Sequence, residues 1–496
     1  MRIVTLILLL CSLLSPQALF AYTGSSSGLS SNIDLLLERA ISRNLIAGGV
    51  VVVGNREGII SSSSRGQLNS LSDAPPINDR TVFDVASLTK VIATTPAIIK
   101  LLDDGLIKMS DPISRWFPEF SDAGRGEITV LHLMTHTSGL RDFMLSSDRT
   151  MQGAIERAAA QQSGNGPGTD FKYADINFIL LGELVHRVSG KALDAFCQEQ
   201  IYRPLGTRET LFLPPDDLAS DVAPTSGTNG GVVQDQNARR LGGVAGHAGL
   251  FSSAYDLSRF ARLMLGGGVI DGKRILSEQV VTQMTSSYLC NGGDVRRGLG
   301  WDIASPYSAP RGSFLSDSSF GHTGYSGSSI WIDPDQDLFV ILLTRRVDYR
   351  HVKNFNQLRR DVSTIAAADF IVDYADAASL LEMNRIKAQV LHASTVPVKS
   401  SARVTRVAAG GGKATKQVTK VAARSNKVVG QSGKVVASSS KKWLKTKQAA
   451  QCATKSDKQV AKAGARRRVG SISSKTKDKA GKTVPAQKKR RTMPKS

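Results

Sequence analysis

Cysteine is scarce, with four residues in a chain of 496. Cys11, Cys197, Cys290 and Cys452 lack both the paired spacing of a zinc site and the density of a disulfide-stapled domain. A metal-held or disulfide-held fold is therefore excluded, and Cys197, inside a helical pattern, is expected in the core. Long apolar runs are also missing. The longest near the start, residues 3–14 behind Met1-Arg2, is too short for a secure membrane span but reads as a secretory signal over residues 1–21. Cleavage falls near Ala21, although Leu19 occupies a position that prefers a small residue. Cys11 follows a leucine, which argues against a lipoprotein anchor.

Acid is nearly absent from the C-terminal fifth. Of the 64 Lys+Arg and 42 Asp+Glu, 28 and 2 fall in residues 398–496, leaving 36 and 40 in residues 1–397. The charge is thus about −4 before the break near Pro397 and +26 after it. Trp443 is the only aromatic residue of that tail, which cannot bury enough apolar surface to fold alone and is expected to be disordered. It is similar to the basic tails of linker-histone-like proteins and would bind phosphates by counterion release. An export signal turns that expectation toward polyanions outside the cytoplasm: lipopolysaccharide, teichoic acid and acidic membrane surfaces, with nucleic acid as the remaining candidate.

What is present in residues 30–385 is a pattern of strands at both ends and helices between. Residues 30–43 carry Ile33, Leu36, Leu37, Ala40 and Ile41 on one helical face. Residues 48–54 (GGVVVVG) predict a buried strand and 58–66 a second. The β signal returns at 298–303, 328–332 and 338–344, and 354–381 reads as helix. This order predicts an α+β fold: an antiparallel sheet flanked by helices, sharing the chain with an all-helical insert.

Three short stretches carry chemistry. In Phe83-Asp84-Val85-Ala86-Ser87-Leu88-Thr89-Lys90, followed by an apolar run to Leu102, Ser87 and Lys90 are three apart and share one face of a helix. A serine at a helix start has free backbone donors near it, and the lysine supplies a cation or base. S-x-x-K also occurs at Ser438 and Ser474, so the pattern needs partners. Tyr173-Ala174-Asp175 precedes a helical stretch, 176–188, and a tyrosine acts as a base if nearby cations lower its pKa. Gly321-His322-Thr323-Gly324-Tyr325 precedes a buried strand, where small residues let a substrate backbone approach.

In this order these stretches resemble the serine β-lactamase and penicillin-binding family, in its class C β-lactamase-like, D,D-peptidase-like branch. The likeness runs from about Ile33 to Val347, through TVFDVASLTK, ITVLHLMTHTSGLRDF, YADINFILLGELVHRVSG, GGVAGHAGLFSSAYDLSRFARLML, RGLGWDI and FGHTGYSGSSIWIDPDQDLFVILLTRRV. It implies a cleft between sheet and insert. There Ser87 is acylated, Lys90 and Tyr173 share the proton transfers, and the backbone N–H groups of Ser87 and Tyr325 form the oxyanion hole. Asp175, His322, Thr323 and Gly324 would meet the substrate, and no cofactor is implied. Two positions depart from the family pattern. Asp175 stands where an asparagine is common, and His322 stands where a lysine is common, so its charge is expected to vary with pH.

Two further stretches have rival readings. His132 and His136 have metal-like spacing, but the Glu of H-E-x-x-H is missing and the segment matches the family's THTSGL stretch, so no metal is expected. Residues 242–250 (GGVAGHAGL), with His247, lack a phosphate-loop lysine and read as a loop beside the cleft, similar in form to that of cell-wall recycling amidases. The expectation is an exported serine hydrolase acting through an acyl-enzyme on cell-wall peptides (D-alanyl-D-alanine carboxypeptidase-like), β-lactams or esters. Its rivals are a muropeptide amidase of the same fold and a catalytically weak body that positions a polyanion-binding arm.

Overall fold

The computed structural model describes residues 26–370, apart from 72, 123–126, 146–149, 162–165, 220, 226–228 and 291–293, together with residues 385–386. The expected signal segment, the basic tail and Cys452 lie outside the described residues, all of which belong to the unit Met1–Ser401.

The chain opens with helix α1 (Ser26–Ser42) and a hairpin of β1 (Ile46–Gly54) and β2 (Ile59–Gly66). After the short β3 (Val82–Asp84) come helix α2 (Thr95–Asp103), helix α3 (Val130–Met134) and helix α4 (Asp175–Ser189). Next are β4 (Leu211–Phe212), β5 (Val222–Ala223), β6 (Leu250–Ser252), helix α5 (Ala254–Leu265), β7 (Val269–Ile270) and β8 (Lys273–Arg274). The chain then returns to sheet through β9 (Tyr288–Cys290), β10 (Val295–Arg297), β11 (Asp302–Ala304), β12 (Phe320–Thr323), β13 (Ser329–Asp333) and β14 (Leu338–Arg346), and closes on helix α6 (Val352–Ala368).

The main sheet has the order β2-β1-β14-β13-β12-β11-β10-β9, antiparallel throughout, so N- and C-terminal strands pair inside it, next to the β2 edge. In β1, Val51 and Val53 face α1 and α6, packing with Leu37 and Phe355. The alternate Val50 and Val52 face the larger core of the insert with Phe260 and Leu343. Alternation along a strand sends successive side chains to opposite faces. Here both faces are covered, which is why the run reads as unbroken valine.

The α+β architecture agrees with the sequence reading, with one difference inside the insert. It is not all helical: β4, β6, β3 and β5 form a second, four-stranded sheet, and β7 and β8 a hairpin. Strands of two or three residues leave no period to read in a sequence. Element ends moved too. Residues 298–301 form a turn rather than a strand, and the last helix ends at Ala368.

Candidate active site

Strand β3 delivers the expected nucleophile. The sequence predicts one helix carrying Ser87 and Lys90; instead Ala86–Leu88 is a 3₁₀ turn and Lys90–Thr94 a π turn, with α-helix only from Thr95. Ala86 has φ +48°, a left-handed backbone unusual for a residue with a Cβ. Buried Asp84 holds it there: Oδ1 accepts from Ala86 N at 2.8 Å and Oδ2 from Gln234 N at 2.7 Å. Burial pushes the Asp84 carboxyl up to about 6, against the pull of those two N–H groups.

The turn brings Lys90 Nζ within 3.1 Å of Ser87 Oγ. Lys90 is wholly buried. Its ammonium also donates to the His247 carbonyl at 3.0 Å and lies 2.7 Å from Asp175 Oδ1. An ammonium has three donors; Ser87 Oγ, His247 O and Asp175 Oδ1 lie around it, and the Tyr173 hydroxyl reaches it as well. Burial works to push the Lys90 pKa down, but the negative charge of Asp175, with Tyr173, overcomes it and holds the group up, as a cation. Asp175 is pushed up by burial and pulled further down by Lys90 and His247, so it is ionised. Asp175 thus holds the Lys90 cation while its side chain still lines the cleft beside Ser87.

Tyr173 lies with its ring centroid 5.1 Å from Lys90 Nζ and stacks at 4.5 Å on His136. Burial pushes its phenol up despite the downward pull of Lys90. The expected lowering by nearby cations is therefore corrected: in the resting site Tyr173 is a neutral phenol. His136 is buried with φ +56°, and its Nδ1 accepts from Ala174 N at 3.2 Å, which fixes the chain entering α4. His132 caps α3 instead, through Thr129, so the pair four residues apart does two local jobs.

The β12–β13 turn closes the other side. Ser328 Oγ donates to Val85 O at 2.8 Å, and a Cβ on Gly324 would collide with Val85 O and Ser328 Oγ. Gly324 is thus needed where two backbones meet. No described residue accepts from the backbone N–H of Ser87 or Tyr325, which leaves both donors free. His322 is buried, its Nδ1 2.9 Å from Thr323 O. Burial, then Arg297 and Lys90, push its pKa well below the usual histidine value. The expected charge change in the working pH range is corrected on that ground: His322 is neutral near pH 7.

Two cavities flank Ser87. One of about 270 Å³ is lined by Tyr173, His322, Tyr307 and three arginines, Arg297, Arg346 and Arg359. Each arginine keeps one buried nitrogen (Nε, Nη2 and Nε, respectively) without a hydrogen-bond partner. Arg359 also donates to the Gly324 and Ser328 carbonyls. The other cavity, about 650 Å³, is lined by Asp175, Asp235, His247, Gln234 and Asn237. His247 Nε2 lies 2.8 Å from Asp235 Oδ1, and buried Gly246 lies so close to Phe178 O that no Cβ would fit. Asp175, Asp235 and His247 bring ligand atoms within 4.8 Å of one another, a set that could hold a cation, but the Lys90 ammonium already sits against it. The three arginines and Asp235 were not singled out in the sequence. They come from β10, β14, α6 and a loop; Arg297 and Arg346 lie within RGLGWDI and LLTRRV, but nothing local marks them as facing one cavity.

A reachable serine, a buried lysine against it, a tyrosine beside both and two free N–H donors are the equipment of an acyl-transferring serine hydrolase. The sequence model of the Beta-lactamase family matches residues 34–362. The chain belongs to that family and is a serine hydrolase of the β-lactamase-related kind. A protein of Escherichia coli (strain K12) named "Putative D-alanyl-D-alanine carboxypeptidase" is 28% identical over 342 residues, covering 60% of this chain and 77% of that one. Among solved structures, a penicillin-binding protein homolog from Caulobacter crescentus is 20% identical with a TM-score of 0.58, covering 69% of this chain and 97% of its own. A class C beta-lactamase mutant is 19% identical with a TM-score of 0.57, covering 67% and 97%. The hydrolase EstCE1, described with promiscuous acyltransferase activity, is 20% identical with a TM-score of 0.56, covering 68% and 99%. These likenesses bear on the fold.

Proposed function

We propose that the chain is an exported hydrolase that forms an acyl-enzyme on Ser87 and cleaves cell-wall peptide ending in a free carboxylate, as a D-alanyl-D-alanine carboxypeptidase does. The observation that carries this reading is the contact of Ser87 Oγ with Lys90 Nζ at 3.1 Å beside a cavity lined by three arginines with unmatched donors. Guanidinium groups pair with carboxylates through charge-assisted hydrogen bonds, so that cavity suits the leaving amino acid.

In the proposed reaction Ser87 Oγ attacks the scissile carbonyl, and Lys90 and Tyr173 carry its proton. The N–H groups of Ser87 and Tyr325 receive the oxyanion. Thr323 and Gly324 lie along the substrate, and neutral His322 is a hydrogen-bonding wall rather than a counter-ion. Collapse expels the amine, and water then releases the acyl group. The same equipment would accept a β-lactam or an ester, with exposed Tyr307 and Tyr325 giving an apolar rim at the mouth. The basic segment 398–496 is proposed to tether the enzyme to a polyanion: lipopolysaccharide, teichoic acid, an acidic membrane or nucleic acid.

The test is intact-mass measurement after incubation with penicillin, an ester probe and a D-Ala-D-Ala peptide. An adduct on Ser87 and release of free D-alanine support the reading. Turnover of the ester alone would reduce it to an esterase.

A further inference from the structure

Resting on that reading, we infer that Arg359 is a positioning residue of the oxyanion hole: its guanidinium, applied to the Gly324 carbonyl, strengthens the Tyr325 N–H as a donor. Gly324 C=O and Tyr325 N–H are the two ends of one planar peptide unit, coupled by its resonance. Arg359 Nη2 donates to Gly324 O and, at 2.9 Å, to Ser328 O. The N–H at the other end of the unit has no acceptor among the described residues and is the expected donor to the oxyanion. A cation on the oxygen end draws electron density from the nitrogen end, so the N–H becomes more positive where negative charge develops.

A brace alone would not need the charge. Gly324 O already accepts from Gly327 N at 3.1 Å, and Gly324 N donates to Ser328 O at 2.9 Å, so the turn is closed by its own backbone. Ser328 Oγ ties it to Val85 O, beside the nucleophile. Arg346 holds the next peptide through Nη1 on Tyr325 O at 3.0 Å. What Arg359 adds is a cation, and it stands in a costly place. It is buried on α6, its Nη1 meets only a neutral acceptor, Asn356 Oδ1, and no described carboxylate pairs with it. A buried charge without a counter-ion is expensive to desolvate. Burial and the neighbouring Arg346 push its pKa down to about 9, which still leaves a cation at neutral pH. The negative charge that offsets this cost is the one the reaction creates beyond Tyr325 N.

The other donor has the same arrangement without the charge. Ser87 N–H shares its peptide unit with Ala86 O, and that carbonyl accepts from Thr89 Oγ1 at 2.6 Å. Thr89 Oγ1 in turn accepts from Leu250 N at 3.1 Å, which extends the chain of hydrogen bonds behind Ser87. A neutral hydroxyl polarises its peptide less than a guanidinium does. The two donors are thus unequal, and the Tyr325 N–H is the stronger.

The test uses the full-length protein acylated by a penicillin or ester probe that is isotope-labelled at its reacting carbonyl. The infrared stretch of that carbonyl falls as the donors on its oxygen strengthen, so it reads the oxyanion hole itself. Arg359→Met and Arg359→Gln remove the charge, and glutamine keeps a neutral donor; Arg359→Lys keeps the charge without the fork. Both neutral variants should raise the stretch as a single sharp band. They should lower kcat on a neutral ester by about 10- to 100-fold, at most the cost of losing a whole oxyanion donor, with KM little changed. Arg359→Lys should bring both band and kcat most of the way back. If one neutral variant does not fold, the other carries the comparison by itself. A turn that has merely moved gives a split or broad band that lysine does not restore. That result, or an unmoved band in the neutral variants, overturns the inference and leaves Arg359 as a brace. Peptide mapping of the adduct separates the two levels. An adduct on Ser87 with an unmoved band rejects the charge effect alone, whereas an adduct elsewhere rejects the Ser87 reading and this inference with it.

Discussion

The two cavities beside Ser87 are built from opposite chemistry. The smaller presents Arg297, Arg346 and Arg359 against one carboxylate, Asp302, with a neutral His322; the larger presents Asp175 and Asp235 against one arginine, Arg239, with the amide side chains of Gln234 and Asn237. Their charges are also used differently. On the arginine side, Arg297 is paired with buried Asp302 at 3.0 Å, but Arg346 and Arg359 make no ion pair with a described carboxylate, so cationic capacity is left for a ligand. On the acidic side, Asp175 is paired with the Lys90 ammonium and Asp235 is hydrogen-bonded to His247 Nε2, so both carboxylates already have partners within the protein. The difference fits the proposed function, in which one side of the cleft recognises the substrate and the other holds Lys90.

The strongest break is at the point where the two sides meet. Ser87→Ala should abolish covalent labelling and lower turnover by about 10⁴-fold or more while leaving both cavities intact, as seen by intact mass and circular dichroism. Lys90→Met removes the cation shared by Ser87 and Asp175. It should cost about 10³-fold or more in acylation and also lower thermal stability, because one partner of a buried pair is left behind.

The arginine side is tested by a substrate contrast. Arg359→Lys keeps the charge but not the planar fork. KM for a carboxylate-terminated peptide should rise about 10- to 100-fold, with a neutral ester changed less than about threefold. Asp235→Asn, on the other side, should leave that carboxylate preference where it was. Equal losses on both substrates in Arg359→Lys would mean that the residue only supports the Gly324 and Ser328 carbonyls.

A subtler difference concerns His322. Because its pKa lies well below the usual value, carboxylate and ester substrates should share one kcat/KM profile between pH 6 and 8. A basic limb near pH 6.5 confined to the carboxylate substrate would restore the cationic histidine that the sequence suggests.

The smallest effect is on stability, at Asp84. Its folded pKa, about 6, lies above the ordinary 3.8, so its contribution is present below pH 4 and is lost as pH rises through 6. Between pH 4 and 7 that loss is on the order of 2 kcal/mol. Asp84→Asn should flatten this part of the stability curve relative to wild type in thermal unfolding, although it gives up the acceptor for Gln234 N.

Much of this was legible in the chain. The valine run of β1, the apolar stripe of α1, the S-x-x-K turn and the order of the motifs announce an α+β serine hydrolase before any coordinates. These signals are local: residues two, three or four apart report on the same strand face or helix face. The π turn after Ser87 was not legible, because nothing in Lys90-Val91-Ile92-Ala93-Thr94 distinguishes it from an α-helix. Nor were the four short strands of the insert, whose pairing depends on partners dozens of residues away, as Leu211 with Phe251 and Phe83 with Ser252.

What the sequence by itself determined is the set of candidate reacting groups, Ser87, Lys90 and Tyr173, the placement of Asp175 and His322 where other residues of the family pattern are common, and the charge break near residue 397. What only the tertiary structure decided is the state of those groups. A pKa depends on burial and on charges within a few ångströms. The residues that set it here, Asp175 on Lys90 and Arg297 on His322, come together from distant parts of the chain. Only the fold could make the lysine a held cation, the histidine neutral and one side of the cleft free to receive an anion.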